Sequence, residues 1–495
     1  MEKDVTFQMN NMFTTLTDIE LANVNNNYRY HVPVRYRKYT KEDILRFMKN
    51  PEADAKQLRD ASIYLYAIST QYRRVINYFA HMCPMDYVIY PFKFDESKKD
   101  TKAFKSSYKK ACDYLEIFNL QHEMRKVLVT AWREDLFAGY IYQTKDSLYI
   151  RKLPPDYVRI SSIVDGCYMI AFDFAYFDRW QVGTKENSEL VSYGEEFVEK
   201  YNLYLKDRIN YRWQELEHKR QFNIKISEDV TYPLIPLLGC LPGIYDIEDY
   251  KDLDKGAAVL RNYKAIGLKL PTNDKGDLLI NKDLADQFYN QLVNITPPNV
   301  GAFETPMDVQ VLDFERASAE DPDKTYSAIR NFYNDVGVSA LIFGSDKQTA
   351  ASLNISITAD ATLCYAVNRQ IERNVNRLLK TAVTGTVKFQ IVILDVSEFQ
   401  KEQMHNMFLK DAQYGIPVKT AIASTIGISQ PKLSALMYLE NDFLHLKDEV
   451  EPLVQGNSMP SDNSDEVGRP TAEERGEEIS ESNEKTREHD SNASR

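Results

Sequence analysis

The spacing of apolar residues along this chain changes period twice, which excludes both an all-helical and an all-strand fold. Leu65, Ile68, Tyr72, Ile76 and Phe79 are spaced 3, 4, 4 and 3 apart, and Phe104, Tyr108, Ala111, Leu115 and Phe118 are spaced 4, 3, 4 and 3. Each set marks one face of a helix, and Val127, Ala131 and Trp132 continue the second or begin another. Upstream, Thr40-Lys-Glu-Asp before Ile44, Leu45 and Phe47 is a capping signal for a short helix that Pro51 ends. From Gly139 the period shortens. Gly139-Tyr-Ile-Tyr-Gln, Leu148-Tyr-Ile-Arg, Tyr157-Val-Arg-Ile and Cys167-Tyr-Met-Ile-Ala-Phe predict a β-meander of about four strands. Thr144-Lys-Asp-Ser supplies one turn, and Asp165-Gly166 is a strong two-residue hairpin signal. Helical spacing returns at Phe197, Tyr201, Leu205, Ile209, Trp213 and Leu216, read as one long amphipathic helix.

The remaining chain is mostly helical. Ile247, Tyr250, Leu253, Ala257, Leu260 and Tyr263 predict a helix stopped by Pro271, and a further helix runs from near Pro322 to before Gly337. Between them lie a turn at Asn273–Gly276, a short helix around 282–293, and a strand at Val309–Phe314. A polar loop, Gly344–Asn354, precedes a long helix ending near Lys380; Lys388–Leu394 reads as a strand, and two or three helices cover 397–447. Residues 1–38 show no clear period and read as an irregular arm. The fold class is α+β, mainly helical.

Composition narrows function. Hydrophobic residues make up 43% of the 495, enough for a sizeable core. The formal charge of −12 argues against a protein that coats nucleic acid with a basic surface. Most of that charge is in Glu449–Arg495, with 13 acidic and 5 basic side chains, a segment expected to be disordered. The five cysteines, Cys83, Cys112, Cys167, Cys240 and Cys364, form no C-x-x-C pair and are odd in number, so a reducing compartment is expected. Met1-Glu-Lys-Asp is no secretory signal. The most apolar stretch, Tyr232–Tyr245, is broken by Pro233, Pro236 and Pro242, so no membrane span is expected.

Motifs for covalent chemistry are missing. No phosphate-binding G-x-x-x-x-G-K-[S/T] loop, G-x-G-x-x-G turn, H-E-x-x-H helix or G-x-S-x-G elbow occurs, and the seven histidines are scattered. No cofactor, metal ligand or catalytic residue is assigned. Asn294-Ile-Thr and Asn354-Ile-Ser match glycosylation acceptors only by chance. The acids Asp246, Glu248, Asp249, Asp252 and Asp254 interleave with Lys251, Lys255 and Arg261, as on a solvated helix face. The competing reading is a Mg²⁺-dependent nucleic-acid-processing enzyme using Asp249 and Asp252. A virion scaffold without a channel is the other alternative.

From Pro233 onward, the succession of segments resembles a tailed-phage portal protein, the head–tail connector. The segments are Tyr232-Pro-Leu-Ile-Pro-Leu-Leu-Gly-Cys-Leu-Pro-Gly-Ile-Tyr running into a helix, a small mixed module, and Asp321-Pro-Asp-Lys-Thr-Tyr opening the next helix. Ser339-Ala-Leu-Ile-Phe-Gly-Ser and the long helix Ile355–Lys380 follow. Upstream, Leu153-Pro-Pro-Asp-Tyr-Val-Arg-Ile before the Asp-Gly hairpin is similar to the family's wing. The resemblance implies a wing over 1–243, first stem helix 244–270, clip 271–319 and second stem helix 320–337. It further implies a tunnel loop, spine helix and wing strand over 338–396, and crown helices over 397–448.

The resemblance also implies a dodecameric ring at one capsid vertex, assembled in the host cytoplasm and carried in the virion. Double-stranded DNA would pass through it, driven by a terminase whose large subunit docks on the ring, and the protein itself would do no covalent chemistry. The other implied partners are the major capsid and scaffolding proteins and the head–tail adaptor. Lys347, Gln348, Thr349 and Ser352 of the tunnel loop are the implied DNA-channel residues, with Lys251, Lys255 and Lys264 of the first stem helix as further candidates. Arg369, Arg373 and Arg377, at i, i+4 and i+8, form a like-charged stripe expected to meet acidic side chains of the neighbouring subunit.

Overall fold

The computed structural model describes residues 38–180, 188–261, 264–269, 281, 284, 287, 290–291, 300–305, 312–313, 324–343 and 350–446. The expected acidic tail, and all but Lys38 of the expected N-terminal arm, lie outside them. The described chain falls into two units, one reaching Leu433 and one from Ser434. The class is α+β, mainly helical.

Five α-helices lie within residues 41–134 of the first unit. In α1 (Lys41–Phe47) the capping box forms as predicted: Thr40 accepts from Asp43 N, and the Asp43 carboxylate accepts from Thr40 N. The single helix expected through Leu65 and Phe79 is two, α2 (Ala55–Ile68) and α3 (Thr70–His81). Ser69, extended at ψ 118°, ends one and caps the other through Tyr72 N. The apolar spacing runs unbroken across this joint, so periodicity could not reveal it. Asn119, left-handed at φ 47°, likewise separates α4 (Lys102–Phe118) from α5 (Leu120–Glu134).

The expected four-stranded meander is two three-stranded sheets. Strand β2 (Leu136–Gln143) lies between β3 (Leu148–Lys152) and β7 (Gln221–Lys225); β5 (Cys167–Asp173) lies between β4 (Val158–Val164) and β6 (Trp213–Glu215). The Asp165-Gly166 turn forms as predicted, both residues having positive φ and Val164 facing Cys167. The long helix expected through Leu216 stops early. Helix α7 (Glu195–Lys206) follows the short α6 (Ser188–Ser192), and Trp213 enters β6, where Asp173 pairs with it. Ile209, assigned to the apolar face, is 87% exposed. Aromatic and β-branched residues serve a strand as readily as a helix, and the pairing offered by β5 decides between them.

Two cores result, and β2 separates them. Phe137 and Ile141 belong to a large core with α2–α5; Ala138 and Tyr140, on the opposite face, belong to an aromatic core with Phe172, Phe174, Phe177 and Phe197. A strand covered on both faces needs apolar residues at successive positions, as Leu136–Tyr140 supplies.

Farther along, α8 (Leu241–Arg261) is followed by β8 (Lys264–Lys269), β9 (Val300–Thr305) and β10 (Leu312–Asp313), a small sheet in which β8 pairs parallel with β9. The strand expected at Val309–Phe314 is described only as these two β10 residues, and 284, 287 and 290–291 are helical. Helices α9 (Lys324–Val336) and α10 (Ala350–Ala382) come next, then β11 (Lys388–Ile393). Strand β11 pairs antiparallel with β1 (Tyr87–Phe92), a strand the sequence reading did not assign.

Helix α10 is 33 residues long and organises the unit. Its apolar side, including Ala361, Cys364, Val367, Ile371, Val375 and Leu378, enters the large core. Asp360 is buried beside them and accepts a 2.9 Å hydrogen bond from the Tyr78 hydroxyl. Burial holds its carboxyl above the ordinary range. A raised carboxylate contributes most stability below its unfolded pKa, about 3.9, and loses it as pH rises through the folded value. Asp360→Asn keeps an acceptor for Tyr78 and removes the titration. Its melting temperature relative to the parent should therefore rise between pH 4 and pH 7; a difference that stays flat over that window would refute the assignment.

Helices α11 (Lys401–Gln413), α12 (Lys419–Thr425) and α13 (Gln430–Met437) follow, and residues of α12 and the start of α13 meet β1. Ser424 donates to Tyr87 O (3.1 Å) and Gln430 accepts from Ile89 N. The second unit takes up the end of α13 and a π-helical turn, Tyr438–Phe443, with Tyr438 and Phe443 exposed.

Candidate functional site

Sequence reasoning nominated two stem helices, a loop and an arginine stripe. Helices α8 and α9 pack antiparallel. A side chain built at Gly243, early in α8, would sit 3.6 Å from Phe332 and from Asp335 near the end of α9. Asp254, late in α8, accepts from Thr325 at the start of α9. The two helices form a hairpin with residues 262–323 inserted at its tip. Helix α8 ends at Arg261, so Lys264 opens β8 and is not on the helix that the expected span 244–270 required. Lys251 is tied to Glu248 at 3.0 Å on a partly exposed face, and Lys255 lies one turn farther along α8.

The acids at the root of α8 behave as surface partners. Lys41 pairs with Asp246, and Asp249 is raised by burial and then by Asp246, Asp252 and Glu42, against the pull of Lys41. Among the described residues no group of three or more His, Cys, Asp or Glu side chains is placed to hold a metal. All five cysteines are free and buried. Among the described residues no helix is long and apolar enough to cross a membrane.

Lys347, Gln348 and Thr349 lie outside the described residues. Ser352 falls in the first turn of α10, which begins at Ala350; the segment 350–354, assigned to the loop, is helix.

The arginine stripe divides. Arg369 is spent on its own chain, pairing with Glu372 at 2.9 Å and with Asp395 and donating to Ile393 O at 3.3 Å. Arg373 is exposed and lies over Gly166, where an added Cβ would come within 2.4 Å of its guanidinium. Arg377 is buried and cannot meet a neighbouring subunit: it donates to His218 O and, at 2.6 Å, to Gln221 O. The physical reason is that β7 and the turn before it close over this end of α10.

Arg377 is one rung of a ladder that the sequence reading missed. Gln370 Nε2 donates to Lys225 O (2.7 Å) and its Oε1 accepts from Lys225 N (3.3 Å). Asn374 donates to Asn223 O (3.1 Å) and Arg377 to Gln221 O. Helical steps of four and three residues advance about 6 and about 4.5 Å against about 6.6 Å for each pair of strand residues, and the longer Arg377 side chain makes up the shorter second step. The free edge of β7 is thereby closed by side chains. On a neighbouring face of α10, Asn376 exchanges two bonds with Ile391, at 3.0 and 2.7 Å, and Glu372 accepts from Ile393 N at 3.1 Å, closing the edge of β11. Edge groups buried without such partners would carry a full desolvation cost.

The side chains of β7 complete the junction. Gln221, Asn223 and Lys225 are all buried. Gln221 accepts from Ile170 N (2.7 Å) and Asn223 donates to Tyr168 O (2.9 Å), bonding the β5 backbone where the short β6 leaves it unpaired. Lys225 Nζ lies 2.8 Å from the Asp135 carboxylate, the pair being 1% and 0% exposed. Asp135, at φ 70°, also accepts from Ser227 N (2.7 Å) and Leu234 N (3.0 Å). It thereby pins both ends of the segment that leads into α8. A signal was present: Gln370, Asn374 and Arg377 recur at i, i+4 and i+7, each followed by an apolar core residue, Ile371, Val375 and Leu378.

No family model and no curated protein matches the chain. Among solved structures it is similar to a chain of the virion of a native gene transfer agent particle, at 11% identity and TM-score 0.40. It is also similar to chains of the neck of the native particle computed with C12 symmetry (11%, 0.41) and of the empty particle computed with C6 symmetry (10%, 0.38). Each likeness covers 76% of this chain and 93% of the other.

Proposed function

We propose that the chain is a portal-type subunit, assembling as a dodecameric ring at one capsid vertex. The ring would give double-stranded DNA a channel for packaging and ejection, and would offer a docking platform to the terminase and the head–tail adaptor. The observation that carries this reading is the antiparallel α8–α9 hairpin with a small sheet inserted at its tip, followed by the long α10 that returns into the wing core. This is the order of stem, clip, stem and spine that the sequence resemblance implies. Lys251, Lys255 and Lys264, with Lys347, Gln348, Thr349 and Ser352, are the proposed channel residues. Most of the −12 charge is carried by the carboxy-terminal segment, so the near-balanced remainder would let phosphates slide. Arg373, exposed on α10, is the part of the stripe proposed to meet a neighbouring subunit, since Arg369 is paired within the chain and Arg377 is buried.

Negative-stain images of the purified full-length protein test the proposal. A closed ring with an axial hole is expected. A monodisperse monomer, or an assembly without a hole, would overturn it.

A further inference from the structure

Outside the stem hairpin, the stretch Lys93–Lys110, running from the end of β1 into the first half of α4, is a strongly one-sided patch of charge on the described surface. It holds seven lysines against three carboxylates in a chain whose net charge is −12. All seven lysines are exposed. Lys98 pairs with Asp95 at 3.4 Å, whereas Lys99, Lys102, Lys105, Lys109 and Lys110 have no ion-pair partner among the described residues. Lys102, Lys105 and Lys109 recur at i, i+3 and i+7 on one face of α4, over about 10 Å of helix. The loop joins this face: Lys93 and Lys98 line a shallow pocket together with Phe104 of α4.

We infer that this lysine face is a second nucleic-acid contact, one that takes the phosphate backbone of duplex DNA without reading sequence. The composition separates DNA from an acidic protein partner. Protein interfaces are depleted in lysine and anchored by Trp, Tyr and Arg, whereas this face is lysine without a single arginine. Flexible ammonium groups suit a phosphate array, because each neutralises one phosphate and releases its counterion. The inference goes beyond the channel reading and does not need a ring, since α4 and its loop are separate in sequence from the stem helices.

The test is a titration of a short labelled duplex of mixed sequence with the full-length protein, across about 50 to 200 mM salt. Binding should weaken steeply with salt. Replacing Lys99, Lys102, Lys105, Lys109 and Lys110 together with Gln should lower the log–log salt slope by about 0.9 for each phosphate that is no longer neutralised, and the matching Arg set should retain binding. Lys49→Gln with Lys410→Gln, two exposed lysines far from this stretch in sequence, should leave the slope unchanged, which shows that the loss belongs to this face. Melting curves confirm that each variant folds. An unchanged slope in the Gln set would overturn the inference, and so would polyglutamate displacing the duplex at equal charge concentration, which would indicate an acidic protein partner.

Discussion

Asp135→Ala should destabilise the first unit by about 3–5 kcal/mol, the range for removing one member of a buried ion pair. The substitution strands the Lys225 ammonium where it is 1% exposed, and it removes the acceptor for Ser227 N and Leu234 N. Alanine must also adopt the positive φ that Asp135 holds. Lys225→Met should cost less. It leaves a carboxylate that still accepts two backbone bonds, and it puts an uncharged thioether in place of the ammonium in a dry site. Denaturant unfolding of both variants checks the order. A loss below about 1 kcal/mol for Asp135→Ala, the range of exposed pairs, would contradict the buried geometry. The segment between Ser227 and Leu234 is the lead-in to α8, so limited proteolysis should cut there faster in Asp135→Ala. That result would show that the Asp135–Lys225 pair sets how firmly the segment entering α8 is held.

Arg377→Met should cost about 2–4 kcal/mol, because two backbone carbonyls lose a charged donor, that of Gln221 in a buried place. Arg373→Met, at an exposed position on the same stripe, should stay within about 0.5 kcal/mol. Thermal unfolding compares them directly, and equal losses would mean the ladder does not hold β7. Sedimentation of the same variants addresses assembly. Arg373→Met is the variant expected to shift the proposed ring toward monomer at high salt, while Arg377→Met acts through folding alone.

The cores of the first unit and their junctions were unevenly legible in the sequence. The Thr40 capping box and the Asp165-Gly166 hairpin depend on residues adjacent in the chain, and both form as read. Helices with one apolar face, such as α4 and the body of α10, were found because a 3.6-residue period needs no knowledge of what it packs against. The same period hid the breaks at Ser69 and Asn119, since a capping serine or a left-handed asparagine interrupts the backbone without disturbing the apolar spacing.

Local pattern determined the fold class, the helix faces and the tight turn; tertiary structure decided what each polar face meets. Gln221-Phe-Asn-Ile-Lys225 alternates as a strand with one face in water would, yet both faces are buried. Its polar side chains face β5 and Asp135, and its free edge faces α10. Asp135 and Lys225 are 90 residues apart, and Asn374 is 151 from Asn223. Alternation records only that polar and apolar groups take opposite sides. Whether the polar side meets solvent or a matching row of donors is set by an element far along the chain, and only the packed structure brings that element within hydrogen-bonding distance.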